Sequence, residues 1–219
     1  KIIEISVPKN DHIPLYTSLY SLSFVGGSDE VAFILNLLPS SNIALEKICP
    51  IALYNIARRD LYAFFRGIYS VDPYFVKSGE VLKKVISNLT IPPKTVLSLW
   101  NKKESVFQAA ALFILRHWGS GNISPFFEEG LNRKNPEVQF QAIQAIIDHK
   151  LKHLASKLLP FIKNPIQERV LLLALDAIRD HREALTGSQI KELKLYLTKL
   201  LAHDSIELRN KVIQTLSYI

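Results

Sequence analysis

Methionine is absent from this 219-residue chain, which is unusual for its length, and cysteine occurs once, as Cys49. A single cysteine closes no intramolecular disulfide and supplies no cysteine-based metal frame. Preceding Pro50 inside an apolar run, Cys49 reads as a core residue. No apolar stretch reaches the roughly 18 residues a membrane helix needs, and nothing resembles a signal peptide. Catalytic signatures are missing too: there is no phosphate-binding loop, no Gly-x-Ser-x-Gly elbow and no His-Glu-x-x-His. Gly119-Ser120-Gly121 is a turn too short to cradle a phosphate. Glu128 and Glu129 are adjacent on an outer helix and converge on no shared pocket. These absences argue against an enzyme and against a bound metal or cofactor, although distant residues can still meet in a fold. Neither charge sign is scarce. The 27 basic residues exceed the 20 acidic ones by a net +7, a modest bias toward an acidic partner such as nucleic acid, a membrane surface or an acidic protein. A hydrophobic content of 48% with 21% charged residues is that of an ordinary folded chain, long enough for one large domain or one short solenoid. The lone cysteine fits a reducing compartment, so the expected location is cytoplasmic. A removed targeting segment stays open, because the chain begins at Lys1 without methionine.

What the chain does have is a register. Val106, Val138 and Val170 stand 32 residues apart, and each opens the same pattern. Ala110, Ala142 and Ala174 follow four residues later, Ile114, Ile146 and Ile178 eight later, and His117, His149 and His181 eleven later. A looser copy runs through Leu208, Val212 and Leu216. Self-similarity at a fixed period is the signature of a stacked repeat array, and such arrays usually serve as binding surfaces. Within each copy the apolar residues recur at helical spacing: Val138, Ala142, Ala145 and Ile146, then Val170, Ala174, Ala177 and Ile178. Alanine in the middle lets neighbouring helices approach closely.

The second half therefore reads as helix pairs: Pro93–Trp100 with Glu104–Trp118, Ser124–Leu131 with Pro136–His149, Leu151–Ile162 with Pro165–Asp180, and Gln189–Ala202 with Ser205–Ile219. Asn135-Pro136 and Asn164-Pro165 look like caps with proline at the first helical position, and Ser124-Pro125 repeats that grammar. In the first ninety residues Ile48, Ala52 and Ile56 copy the pattern, with Arg59 in the histidine slot. Around them Pro14–Val25, Glu30–Leu38, Leu61–Tyr69 and Gly79–Leu89 read as helices, and Lys1–Pro8 as extended. Gly26-Gly27-Ser28 and Pro39-Ser40-Ser41-Asn42 look like turns between helices.

These pairs resemble HEAT repeats, with armadillo-like arrays as near relatives. The second helix of such a repeat carries Val-Arg, then alanine, then leucine. Leu208-Arg209 with Val212 and Leu216 matches best, and Val138-Gln139 with Ala142 and Ile146 matches the apolar part. The resemblance covers residues 91–219 and implies an all-α fold, a right-handed α-α superhelix of stacked antiparallel pairs. Residues 1–90 are expected as degenerate repeats continuous with the stack, giving a single solenoid domain over 1–219. Two departures stand out. The family's ladder arginine appears only as Arg209, its counterparts being Phe107, Gln139 and Leu171. The 32-residue period is also shorter than the roughly 40–47 residues of the family, so the helices must be short.

Several side-chain groups are candidates for function. The histidine row invites a metal or pH-sensing reading, with Asp148, Asp180 and His153 close by. Geometry favours helix-end roles instead: stacked helices lie about 8–10 Å apart, zinc holds imidazole nitrogen at about 2 Å, and basic residues suit the negative end of a helix dipole. Lys102 and Lys103, Arg133 and Lys134, and Lys163 occupy the turns within consecutive pairs and would form a basic edge able to meet phosphates. In a HEAT-like array the second helix lines the concave surface. The outward slots of that helix are read as Ala109, Leu112 and Arg116; Gln141, Gln144 and Asp148; Leu173, Asp176 and Asp180; Lys211, Gln214 and Tyr218. From these, Arg116, Gln141, Gln144, Asp148, Asp176 and Asp180 are the candidate partner-binding residues, a mixed and partly acidic surface suited to a peptide or folded protein. Arg58, Arg59, Tyr62 and Arg66 form a basic-aromatic patch, read either as a stacking surface for bases or a partner, or as a buried helix whose arginines reach solvent. The favoured reading is a non-catalytic interaction scaffold for a protein or peptide. Nucleic-acid binding is the first alternative, since some HEAT-like proteins are DNA-repair glycosylases, and a regulatory subunit of an enzyme is the second. Self-association through the ends of the array is a further expectation.

Overall fold

The computed structural model describes residues 13–38, 43–118, 122–165 and 167–219. The expected extended segment Lys1–Pro8 and the turns at Pro39-Ser40-Ser41-Asn42 and Gly119-Ser120-Gly121 lie outside the described residues. All regular structure among them is helical: α1 (Ile13–Val25), α2 (Ser28–Leu37), α3 (Ile43–Arg59), α4 (Leu61–Val71), α5 (Gly79–Ser87), α6 (Pro93–Trp100), α7 (Ser105–Trp118), α8 (Ser124–Leu131), α9 (Pro136–Asp148), α10 (Leu159–Lys163), α11 (Glu168–Asp180), α12 (Gly187–Leu200) and α13 (Ile206–Tyr218). The chain divides into two compact units, 1–110 and 111–219, with the division inside α7.

In the first unit α1 packs on α3 and α3 on α5, while α2 packs on α4. The helices thus form an odd row and an even row, the arrangement that stacked pairs produce. Gly67 of α4 is what lets α2 and α4 meet: a Cβ there would lie 2.3 Å from the Ser28 carbonyl oxygen and 2.5 Å from Val31 Cβ. The loop after α4 is tied by buried Asp72, whose Oδ2 accepts from the backbone N and Oγ of Ser78, both at 2.8 Å. Phe75 in that loop has φ 54°, a left-handed conformation costly for an aromatic residue. Its ring is buried and lies 6.1 Å from the Phe65 ring, so packing holds the turn in place.

The second unit repeats the two rows. α9 packs on α11 and α11 on α13; α8 sits on α9, and α10 on α11 and α12. The register residues are the core here. Val138, Ala142, Ala145 and Ile146 are fully buried, as are Ala174, Ala177 and Ile178. Each buried valine or isoleucine contributes about 1.5–3 kcal/mol relative to exposure. The alanines contribute less in area but set how closely the odd helices approach.

Helix boundaries follow local chemistry. Thr186 caps α12 with a reciprocal box: its Oγ1 accepts from Gln189 N at 3.3 Å, and Gln189 Oε1 accepts from Thr186 N at 2.9 Å. Ser205 Oγ caps α13 by accepting from Leu208 N at 3.2 Å. Three local features differ in kind from those read in the sequence. The segment 151–162 is not one helix but a 3-10 stretch over Lys152–Leu158 leading into the short α10. Pro160 explains this: an α-helix through it would need the N–H that proline lacks, and Leu159 N instead bonds Ser156 O, three residues back. α11 begins at Glu168 rather than Pro165, because Gln167 is extended (φ −144°, ψ 139°). Ser124 is the first residue of α8 rather than its cap, and its Oγ hydrogen-bonds His153 Nε2 at 2.8 Å.

Candidate functional site

The histidine slot is the simplest to resolve. At a helix carboxyl end the last carbonyls have no partner within the helix and carry partial negative charge. His149 Nε2 donates to the carbonyl oxygen of Arg116, on the preceding second helix, at 2.8 Å. His181 Nε2 donates to the carbonyl of Ile146 at 3.2 Å. Arg59, in the same slot of the first unit, donates to the carbonyls of Ser23 at 3.1 Å and of Gly26. One repeat's second helix thus caps the end of the one before it. These two Nε2 atoms are engaged with backbone oxygen. His117 differs: its ring lies 4.6 Å from the Phe113 ring, and Arg116 Nη2 donates to its Nε2 at 2.9 Å.

A second repeated device lies at the other end of these helices. Gln108, Gln139 and Arg209 each reach back six residues to a turn carbonyl, those of Lys102 at 2.7 Å, Arg133 at 2.5 Å and His203 at 2.6 Å. Gln139 and Arg209 occupy the ladder-arginine slot, and Gln108 stands one residue past it. The slot therefore clamps the turn within its own pair. Its signal in the sequence was a long amide or guanidinium side chain just inside the second helix.

The outward face of the second helices is only partly outward. Ala109, Leu112 and Gln141 are buried, at 0%, 0% and 1% exposure, contrary to the slots read for them. α9 is packed by α8, α11 and the 3-10 segment, which cover a wider arc than one apolar stripe. Gln144 is half-buried, and Asp148 and Asp180 are exposed. The charges are organised in pairs. The Arg116 side chain, 9% exposed, meets Asp148 Oδ2 from its Nε at 3.2 Å and donates from Nη1 to Gln141 Oε1 at 3.1 Å. Its guanidinium lies 5.1 Å from the Phe113 ring centre. Burial pushes Arg116 below its ordinary pKa, and the Asp148 charge opposes that shift. Gln144 Nε2 donates to Asp148 Oδ1 at 3.3 Å. Further along, Lys211 Nζ donates to both oxygens of Asp176 at 2.9 and 3.0 Å, while Arg179 contacts Asp176 at 3.1 Å and Asp180 at 3.3 Å. All three aspartates face cations, so the row is charge-compensated rather than acidic.

The other two groups are dispersed by packing. Along the basic edge, Arg133 pairs with Glu129 and Lys163 with Glu192, each at 2.5 Å. Lys134 is exposed. In the first unit Lys102 and Lys103 are exposed, and Lys102 Nζ sits 5.4 Å from the Tyr62 ring centre. The basic-aromatic patch splits. Arg59 caps α1. Tyr62 and Arg66, one turn apart on α4, pack toward α6 and α7: Tyr62 Oη is 3.0 Å from Ser98 Oγ, and Arg66 meets Glu104 at 2.8 Å and lies 5.1 Å from the Phe107 ring centre. Arg58 alone of the four has no hydrogen-bond or ion-pair partner among the described residues. Cys49 is fully buried, and burial pushes its thiol up to about 11. No helix of the described residues is long and apolar enough to cross a membrane.

No protein-family model and no curated protein matches the chain. Among solved structures it is similar to a designed armadillo repeat protein in complex with the peptide (KR)4, at 18% identity and TM-score 0.47, covering 96% of this chain and 95% of that one. A second designed armadillo repeat protein is similar at 18% identity and TM-score 0.42 over 96% and 95% of the two chains. An engineered protein is similar at 18% identity and TM-score 0.37 over 96% and 92%.

Proposed function

We propose that the protein is a non-catalytic scaffold that takes a protein or peptide along the row of second helices α9, α11 and α13. The observation that carries this is the pair of cross-repeat ion pairs, Arg116–Asp148 and Lys211–Asp176. They hold polar side chains of successive repeats in fixed positions, so a partner meets donors and acceptors that are already ordered. Ordering such side chains at the moment of binding otherwise costs about 0.5–1.5 kcal/mol each. Exposed Asp180, Gln214 and Tyr218, with half-buried Gln144, continue the row. A charge-compensated row also suits an uncharged peptide backbone better than a polyphosphate.

The test is a panel of short displayed peptides selected on the protein, followed by titration. Replacing Gln144, Asp180 and Tyr218 together with alanine is expected to weaken the selected peptides by at least about tenfold, roughly one or two lost hydrogen bonds. Thermal stability should change little, because none of the three is buried. Unchanged affinity in the triple variant, or selection of peptides that bind the first unit only, overturns the reading.

A further inference from the structure

The first unit carries a cleft that the proposed row does not involve. It has a volume of about 540 Å³, within the range of ligand sites, and lies between the carboxyl end of α3 and the turn joining α5 to α6. Its walls contain no carboxylate. They supply one cation, Arg58, the hydroxyls of Tyr54, Thr90 and Thr95, and an apolar floor that includes Leu61 and Leu89. Arg58 is exposed and unpartnered among the described residues, whereas Arg59, Arg66, Arg116, Arg133 and Lys163 are all engaged with carbonyls or carboxylates. The carboxylate nearest to Arg58 in the chain, Asp60, is occupied: its Oδ1 caps α4 by accepting from Ala63 N at 2.9 Å. The cleft also lies at the start of α6, whose positive dipole end adds to the local field.

We propose that this cleft anchors an acidic peptide segment of a partner, with a glutamate or aspartate carboxylate on Arg58 and the adjoining apolar side chain against Leu61 and Leu89. Charge complementarity selects the carboxylate: guanidinium is the only ionised group in the lining, and charge-assisted bonds to carboxylate are its strongest interactions. Openness selects a segment over a small acid. Arg58, Asn88, Thr90 and Pro92 are all exposed at the rim, so a small molecule would leave much of its surface wet, while a site for one normally buries most of it. A segment held at both ends by a larger partner needs no such enclosure.

The experiment titrates the intact protein by fluorescence anisotropy with a labelled peptide carrying one glutamate flanked by leucines, and with its glutamine counterpart. The glutamate peptide should bind at least about tenfold more tightly, the value of one charge-assisted bond, and the preference should shrink with salt. Arg58→Glu should abolish the preference, Arg58→Lys should keep part of it, and Thr90→Trp should block the cleft. Arg58 and Thr90 are exposed, so circular dichroism should show all three variants folded. Asp180→Ala should leave this binding unchanged, which separates a failure here from a failure of the second-helix row. Equal binding of the two peptides, a glutamate preference that survives Arg58→Glu, or benzoate binding as tightly as the peptide overturns the proposal.

Discussion

The two units tie one helix pair to the next with different side chains at the same place. In the first unit an arginine, Arg59, caps the end of α1, and hydroxyl pairs such as Tyr69 Oη with Ser105 Oγ at 2.9 Å join α4 to α7. In the second, His149 and His181 do the capping, and the ion pairs Arg116–Asp148 and Lys211–Asp176 join successive second helices. The difference shows what a degenerate repeat preserves. Every stacked helix presents unpaired carbonyls at its end, so an N–H donor is needed there. Which residue supplies it is free.

The comparison breaks most readily at the two close approaches. Gly67→Ala should cost about 3 kcal/mol, because the added Cβ meets a backbone carbonyl that cannot yield. Gly130→Ala should cost about 1 kcal/mol or less. Its Cβ would lie 2.8 Å from the mobile end of Leu112 and 3.0 Å from Ala142 Cβ, and alanine's helix propensity offsets part of the strain. Urea unfolding of both variants measures this, and equal losses would mean that the two contacts are equally rigid.

Next in size is the Arg116 cluster. Arg116→Met leaves Asp148 without its cation and removes the guanidinium's bond to buried Gln141, and should cost about 2–3 kcal/mol. Lys211→Met, in a pair about one quarter exposed, should cost about 1 kcal/mol. A double-mutant cycle on each pair checks the ranking, which fails if the two coupling energies are the same. The Arg66–Glu104 pair is more than half exposed on both sides and should contribute well under about 1 kcal/mol, vanishing in high salt.

The capping donors come third. Arg59→Ala, losing a charged donor to two carbonyls, should cost about 2 kcal/mol, and His149→Ala about 1 kcal/mol. Cys49 separates the units in such measurements. Its thiol, fully buried and raised to about 11, should resist alkylation at neutral pH until the first unit opens. The sign follows from the raised value. The folded state holds this proton more tightly than the unfolded chain, so the thiol favours unfolding only as pH rises past its ordinary 9.0 toward about 11. Fast labelling at pH 7 without unfolding would contradict the burial.

Much of the fold was legible because burial is periodic. Val138, Ala142 and Ile146 are core wherever a second helix packs, and α6, α8 and α12 lie within two residues of their expected bounds. Pro160 shows the limit: the apolar spacing of 151–162 is helical, but one missing N–H converts its first half to 3-10. The candidate site was less legible. Gln141 stands in an outward slot by helical phase, yet neighbours on both sides close over it. Arg59 and Arg66 look alike in the sequence and go to different helices.

The sequence by itself determined the all-α class, the 32-residue register and the residues that fill the core, since local periodicity and turn chemistry act within a few residues. Only the tertiary structure decided which polar side chains are spent on stitching and which are left over. That depends on where the carbonyls and carboxylates of other repeats fall, some 25–38 residues away in the chain. Arg59 and Arg58 are neighbours of identical chemistry. One caps a helix end and the other faces an open cleft, because only one of them points at an orphan carbonyl.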